Sequence, residues 1–286
     1  MAQPYYKSHW IEIEPQRHAA YDELLKFHPA MERLLEPLEL RPGLTVLDVG
    51  SGPGHTTTAL AQRVAPGGHV TGADINAEFV ARAAHRAKAA GLEAAIDYRR
   101  CDFPPLPFAG RTFDRVWCKN VLEYVDDAAL TVAEMARVTR PGGIVVAVDS
   151  DWDMMAVELG EASRELTERM LRAAKSIALN QPRIGRFLFH HFLAAGLEQV
   201  EVKVFASPDR KGLMAGIIGG VARDTVAQHP ARFPPPMSSD GWRNWTGRSP
   251  PGVIFFCCRN SSSPAAAPPS SARILLVLSP IGPPIA

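Results

Sequence analysis

The residues best suited to do chemistry are three acids, Asp48, Asp74 and Asp102, set around the glycines Gly50, Gly52 and Gly54. Asp48 opens the run Asp48-Val49-Gly50-Ser51-Gly52-Pro53-Gly54, which follows a β-branched stretch and precedes a helical one. Glycines at such a turn let the backbone approach a ligand, and the free N–H groups at the start of the next helix can meet it. Asp74 lies about 20 residues past the loop, at the end of the next apolar run, where a carboxylate can accept hydrogen bonds from both hydroxyls of a ribose. Asp102 closes a third run and is placed to accept from an exocyclic amine such as that of adenine; an N-cap or solvated loop acid is the plainer reading of it. Together they describe a nucleoside site.

Two cofactor classes would use Asp74, and the glycine spacing separates them. A dinucleotide loop reads G-x-G-x-x-G, whereas the position three after Gly52 is His55 and the spacing is G-x-G-x-G. A bulky His55 disfavours a pyrophosphate packed on that turn, which speaks against a dinucleotide-dependent oxidoreductase.

These acids need strands to place them. Residues 45–49, 67–74, 112–119 and 144–149 read as strands, and 94–100 as another that leads into Cys101-Asp102. Helical stretches at 55–65, 77–90 and 127–138 alternate with them, broken by Pro66-Gly67-Gly68, Gly91 and the turn Arg140-Pro141-Gly142-Gly143. That alternation predicts an α/β fold with a doubly wound, mostly parallel sheet, on which ligands sit at the carboxyl ends of the strands. Downstream, 158–179 and 183–195 read as helices and 197–205 as a sixth strand. Upstream, 16–40 reads as an amphipathic helix carrying Leu24, Leu25, Phe27, Met31, Leu34 and Leu35, able to cap the site.

Five segments fall in family order: VLDVGSGPG (46–54), GADIN (72–76), CDFPPLPF (101–108), FDRVWCKNVLEYVDD (113–127) and RVTRPGG (137–143). Through them the chain resembles the class I S-adenosylmethionine-dependent methyltransferases, especially the small-molecule group that includes the ubiquinone and menaquinone methyltransferases, over about residues 40–205. The resemblance implies a Rossmann-like sheet, S-adenosylmethionine as cofactor, and methyl transfer to a small organic molecule. By position it implies Asp48, Gly50, Ser51 and Gly52 along the methionine part and Asp74 with Ile75 at the ribose. It likewise implies Asp102 with Phe103 at the adenine, and Lys119, Asn120 and Leu122 beside the sulfonium.

Methyl transfer needs a base only when the acceptor must lose a proton. Glu123, Asp151 and His190 are the candidates for such a role. The family often carries His where Glu123 stands, so no acid or base role transfers directly. The plainer readings are a capping or turn role for Asp149, Asp151 and Asp153, and a packed-and-exposed helical pair for His190 and His191. No N-P-P-Y or D-P-P-Y follows the fourth strand and no Pro-Cys pair occurs there, which disfavours amide, adenine-amine and cytosine acceptors. Oxygen, nitrogen and carbon acceptors stay open. An RNA or protein methyltransferase, or a cofactor-binding module without catalysis, are the alternatives.

Charge and composition narrow the partners. With 31 Lys plus Arg against 30 Asp plus Glu, the net charge of +1 gives no overall field for nucleic acid. The first residues lack a basic and then apolar leader pattern, and purely apolar runs such as 274–278 are too short to span a bilayer, so a cytoplasmic location is expected. The four cysteines have no metal-binding spacing, and no metal is expected.

The chain divides into a helical cap (1–40), a cofactor-binding core (41–205), a helical extension (206–240) and a tail (241–286). In the family, a tryptophan-bearing helix precedes a seventh strand antiparallel to the sixth, and MSSDGW (237–242) reads like its start. The pattern then fails: 241–286 has no acidic residue, and 11 of the 25 prolines follow Pro230. The tail therefore reads as disordered or frameshifted, since with GC-rich codons a one-base slip converts WRNWTGR into LAQLDRA. That leaves the seventh strand in doubt and the sixth with an exposed edge, unless an apolar stretch such as 253–258 pairs there.

Overall fold

A computed structural model describes residues 5–154, 168, 171–172, 175–176, 178–205, 258–259 and 271–277. The core strands are β1 (Thr45–Val49), β2 (His69–Asp74), β3 (Ile96–Arg100), β4 (Phe113–Lys119) and β5 (Thr139–Asp149). Between them run α4 (His55–Val64), α5 (Ala77–Ala89) and α6 (Ala128–Val138). Before β1 stand α1 (Tyr5–Ile11), α2 (Pro15–Leu24) and α3 (Glu32–Leu35); after β5 come α7 (Ile184–Ala194) and β6 (Glu198–Phe205). Two further strands, β7 (Cys258–Arg259) and β8 (Ser271–Val277), complete the sheet.

The strand order is β3-β2-β1-β4-β5-β8-β6-β7. From β3 to β5 every pairing is parallel, with Val49 beside Ala73 and Cys118, and Lys119 beside Val148. The order turns outward in both directions from β1 and β4, which puts a crevice at their carboxyl ends. Both faces of the sheet are covered, so the central strands are buried along nearly their whole length: Val46, Leu47 and Val49, then Val116, Trp117 and Cys118, then Val145 to Val148. The same core takes in Leu60 and Val64 of α4, Ala87 of α5, Val132 and Met135 of α6, and Leu188 and Phe192 of α7.

Local signals set the helix limits. The side chains of Asn76 and Asp127 accept the N–H groups of Phe79 and Leu130 at 2.8 Å and so cap α5 and α6. Gly91, with φ +67, takes the left-handed position that ends α5. The turn from Arg140 lies at the opposite end of the sheet from the crevice. There Arg140 Nη1 donates to Asp114 Oδ1 at 2.8 Å, and Thr45 gives Asp114 Oδ2 its backbone N–H at 2.8 Å. The last of the five family-like segments therefore ties strands together at the end of the sheet away from the crevice.

Two expectations need correction. Residues 16–40 do not form one amphipathic helix: α2 stops at Leu24, and short 3-10 turns lie on either side of α3, one opened by Pro29 (Pro29–Met31) and one with Pro37 in second place (Glu36–Leu38). Proline lacks the N–H that a continuous helix needs and crowds the preceding turn. Nor is β6 left unpaired on the side that faces β5. β8 lies between β5 and β6, parallel to both, with Ile274 beside Ala147 and Val202, and β7 pairs antiparallel on the far side. The polarity of β8 is opposite to that of the family's seventh strand. The helix read at 158–179 falls almost wholly outside the described residues, as do the extension at 206–240 and the rest of the tail.

Candidate functional site

Three carboxylates organise the crevice, each at a strand's carboxyl end. Asp74, last residue of β2, accepts the N–H of Gly52 on Oδ2 and that of Asn76 on Oδ1, both at 2.8 Å. Asp149, last residue of β5, accepts the N–H groups of Val121 (3.2 Å) and Leu122 (2.8 Å) on Oδ2 and of Ser150 (2.9 Å) on Oδ1. Asp48, in β1, accepts the Thr57 hydroxyl of α4 at 2.7 Å. Asp74 thus fastens the loop after β1, and Asp149 the loop after β4. All three are buried.

Burial disfavours the charged form of each acid. It lifts the Asp48 carboxyl to about 7, against the Thr57 hydrogen bond and with the charge of Asp74 adding to the rise. It lifts Asp74 to about 6, opposed by the N–H groups of Asn76 and Gly52. Glu123 is raised further, by burial and then by the charge of Asp149, while Trp152 Nε1–H on its Oε2 at 2.6 Å holds it down in part. Lys119 lies among these acids; burial lowers its pKa and Glu123, Asp149 and Asp48 oppose that shift.

The glycine loop leaves room for a ligand at one position. Gly50, Gly52 and Gly54 all have positive φ, at +72, +52 and +84, where side chains are strained. A Cβ at Gly50 would strike Val121, and one at Gly54 would lie 2.7 Å from Ala83 Cβ. At Gly52 it would meet only Leu25 Cδ1, at 3.5 Å. Among the described residues, five buried side-chain polar atoms have no hydrogen-bond partner, and three of them, Ser51 Oγ, Asn120 Oδ1 and Trp10 Nε1, belong to the loops after β1 and β4 and to α1. Buried polar atoms in folded proteins are nearly always paired, so a polar ligand held between these elements would supply partners that the protein itself does not.

That set fits S-adenosylmethionine, whose two ribose hydroxyls, amino and carboxylate groups and sulfonium supply the missing partners. Asp74, Ser51, Gly52 and Asn120 would hold it, with Lys119, Asp48, Gly50 and Leu122 in the walls. Ile75 is half-buried between Asp74 and Asn76, and Phe103 is buried beside the core. Asp102 is placed differently from the other acids. Its side chain is 54% exposed and Lys7 of α1 binds its Oδ2 at 2.8 Å, bridging also to Asp126 Oδ2 at 2.8 Å.

The N-terminal helices meet the loops of this opening through particular residues that no spacing in the sequence marks. Asp22 of α2 accepts from Arg86 Nη2 at 2.5 Å and pairs with His55 Nε2 at 3.1 Å, and Arg86 also donates to the Pro53 carbonyl at 3.2 Å. Trp10 of α1 stands edge-on to Tyr124, with ring centroids 5.1 Å apart, and its carbonyl accepts the Asn76 side chain at 3.0 Å. Tyr21 completes the aromatic group, 5.2 Å from Trp10.

The three acid or base candidates fall in different settings. Glu123 is 1% exposed, at the foot of the crevice beside Tyr124. Asp151 is buried and both its oxygens are taken by Arg186, from Nε at 2.5 Å and Nη2 at 2.8 Å, which joins the loop after β5 to α7. His190 is exposed on α7, edge-on to Phe189, away from the strand ends. Asp153 is exposed and pairs with Lys175 at 2.9 Å. The structure thus groups Glu123 with the crevice and separates the other two.

Residues 47–147 fit the family described as "Methyltransferase domain", and they form a methyltransferase domain of the class I, S-adenosylmethionine-dependent type. The chain is 31% identical over 217 residues to an uncharacterized 37.1 kDa protein in transposon TN4556 of Streptomyces fradiae, covering 76% of this chain and 61% of that protein. It is 35% identical over 138 residues to a ubiquinone biosynthesis O-methyltransferase of Rhizobium etli, covering 48% of this chain and 54% of the relative. It therefore spans between about half and three fifths of the length of these relatives. Among solved structures, a phosphoethanolamine N-methyltransferase 2 of Haemonchus contortus in complex with S-adenosyl-L-methionine shares the fold, with a TM-score of 0.55 and 17% identity over 91% of this chain and 61% of that one. Among the described residues no helix is long and apolar enough to cross a membrane.

Proposed function

We propose that the protein transfers the methyl group of S-adenosylmethionine to a small organic acceptor of the quinol or phenol class. The observation that carries this is a glycine turn fastened by Asp74, with three buried polar atoms from its neighbouring elements, Ser51 Oγ, Asn120 Oδ1 and Trp10 Nε1, that have no hydrogen-bond partner among the described residues. When bound, the cofactor supplies a methyl carbon made electrophilic by a cationic sulfur. The chain's part is alignment and exclusion of water. Asp74 keeps free lone pairs beyond its two backbone N–H groups, so it can still accept hydroxyl donors while its orientation is fixed. Asp149, whose carboxylate accepts three backbone N–H groups, supplies an acidic group at the strand ends where the sulfonium would lie, and the aromatic rings of Trp10, Tyr21 and Tyr124 give the acceptor side an apolar surface.

Glu123 is the residue whose setting suits proton transfer. Burial keeps its carboxyl protonated well above the ordinary range, near the pH at which a base is most effective. The relative named as a ubiquinone biosynthesis O-methyltransferase supports the acceptor class. The balanced charge, 31 basic against 30 acidic residues, gives no support to a nucleic-acid substrate.

The test is a panel of quinols, phenols, amines and RNA incubated with S-adenosylmethionine carrying a labelled methyl group, read by product mass. Label in a phenolic or quinol product is the expected outcome. Label only in RNA or protein, or binding of cofactor without turnover on any acceptor, overturns the reading.

A further inference from the structure

We infer that Trp10 is a specificity-determining residue of the cofactor site, its indole N–H donating a hydrogen bond to an oxygen of the bound nucleoside. The inference rests on the cofactor reading above. Trp10 belongs to α1, outside the 47–147 stretch that matches the methyltransferase domain. Its position is fixed from three sides. Asn76 Nδ2, from the loop after β2, donates to its carbonyl at 3.0 Å. Tyr124, from the loop after β4, meets its ring edge-on at 5.1 Å, and Tyr21 of α2 lies 5.2 Å away.

Strands β2 and β4 flank β1 in the sheet. A residue held by the loops after both therefore stands over the end of β1, where the glycine turn lies. Its Nε1 is buried and has no hydrogen-bond partner among the described residues. An indole nitrogen has a single hydrogen to give and accepts nothing, so only an acceptor atom can satisfy it. Asp74, the nearest anchor for a sugar, sits two residues before Asn76, and its carboxylate accepts the Asn76 N–H at 2.8 Å. Trp10 and Asp74 thus address the nucleoside with complementary chemistry, one as donor and the other as acceptor. Asn76 couples them, because its backbone meets Asp74 while its side chain holds Trp10.

The alternative, that Trp10 only packs α1 onto the domain, leaves the buried N–H unexplained. Packing alone would be served equally by phenylalanine, which keeps an aromatic ring and lacks the donor. That difference makes Trp10→Phe the informative variant.

Calorimetric titration with S-adenosylhomocysteine is run on the full chain, on Trp10→Phe and on Asp74→Ala. In parallel, protein labelled with 15N in its tryptophan side chains is titrated by NMR, the Trp10 resonance being assigned by its loss in Trp10→Phe. Trp10→Phe is expected to raise the dissociation constant roughly three- to tenfold, the loss of one neutral hydrogen bond. The wild-type Trp10 N–H resonance is expected to move downfield on saturation. A dissociation constant within twofold of wild type, or a Trp10 resonance that stays in place while the ligand saturates the protein, overturns the inference and leaves the cofactor reading intact. A wild-type chain that shows no heat of binding and no shift of any indole resonance overturns both.

Discussion

Asp74 Oδ2 accepts the backbone N–H of Gly52 at 2.8 Å, so the acid at the end of β2 sets the shape of the turn after β1. One carboxylate therefore does two tasks, fixing the loop and facing the ligand. Asp149 repeats the arrangement one strand pair further along, with Leu122 as its partner at 2.8 Å.

Replacing Asp74 by alanine should weaken S-adenosylhomocysteine binding by at least roughly tenfold, because hydrogen bonds to a charged acceptor contribute about 1.5–3 kcal/mol each. The N–H groups of Gly52 and Asn76 also lose their acceptor, so the midpoint of thermal unfolding should fall by a few degrees. Because burial lifts the Asp74 carboxyl to about 6, affinity in the wild type should drop as pH falls through that value and the acceptor becomes protonated. Calorimetry between pH 5 and pH 8 checks both points, and an affinity that is flat with pH in wild type would remove Asp74 from the site.

The glycines of the loop should separate binding from stability. Gly54→Ala places a methyl against Ala83 and Tyr98 at φ +84, a combination of backbone strain and overpacking that should destabilise the protein by about 2–4 kcal/mol. Gly52→Ala, at φ +52 with only Leu25 Cδ1 near, should cost about 1–2 kcal/mol while impairing ligand binding by at least tenfold. Urea denaturation and calorimetry on the two variants would expose the opposite ranking, which would place the ligand away from Gly52.

Glu123 should give a pH-dependent stability difference. Its carboxyl is pushed up to about 8 by burial beside Asp149, so the folded state holds this proton more tightly than the unfolded one. The resulting stability is present in full below the unfolded pKa and is lost as pH rises through the folded one. Glu123→Gln cannot ionise, so its thermal midpoint should gain on wild type by roughly 5 °C or more from pH 6 to pH 9. Parallel melting curves at both pH values would show a buried, protonated Glu123 to be wrong.

Arg186→Met should leave the buried Asp151 carboxylate without its cation. Such a loss costs about 3–5 kcal/mol in a fully buried pair, and about 2 kcal/mol here because the Arg186 side chain is 40% exposed. Asp151→Asn in the same background should recover part of that loss. Denaturant titration reads the effect, and an Asp151→Asn single variant that folds but has lost turnover would return Asp151 to the chemistry.

The sequence determined the order of strands and helices, since apolar runs bounded by Gly67, Gly91 and Gly142 fit only a buried parallel sheet. It also determined the placing of Asp48, Asp74 and the glycine turn, because these depend on neighbours close in the chain. The sixth strand and the caps Asn76 and Asp127 are likewise local. What the tertiary structure decided depends on contacts between distant residues. Trp10 carries no spacing that marks it; its place over the turn follows from Asn76 and Tyr124, which come from two different strand ends. Asp151 and Glu123 look alike as acids after a strand, and only the approach of Arg186 to one and of Trp152 to the other distinguishes an ion pair from a buried, protonated carboxyl. The same holds at the far edge, where composition marked 241–286 as unfit for structure and the slot between β5 and β6 nonetheless takes Ser271–Val277 as a parallel strand. Unpaired backbone groups on two facing strands bind whatever extended segment can reach them, and composition does not record that demand.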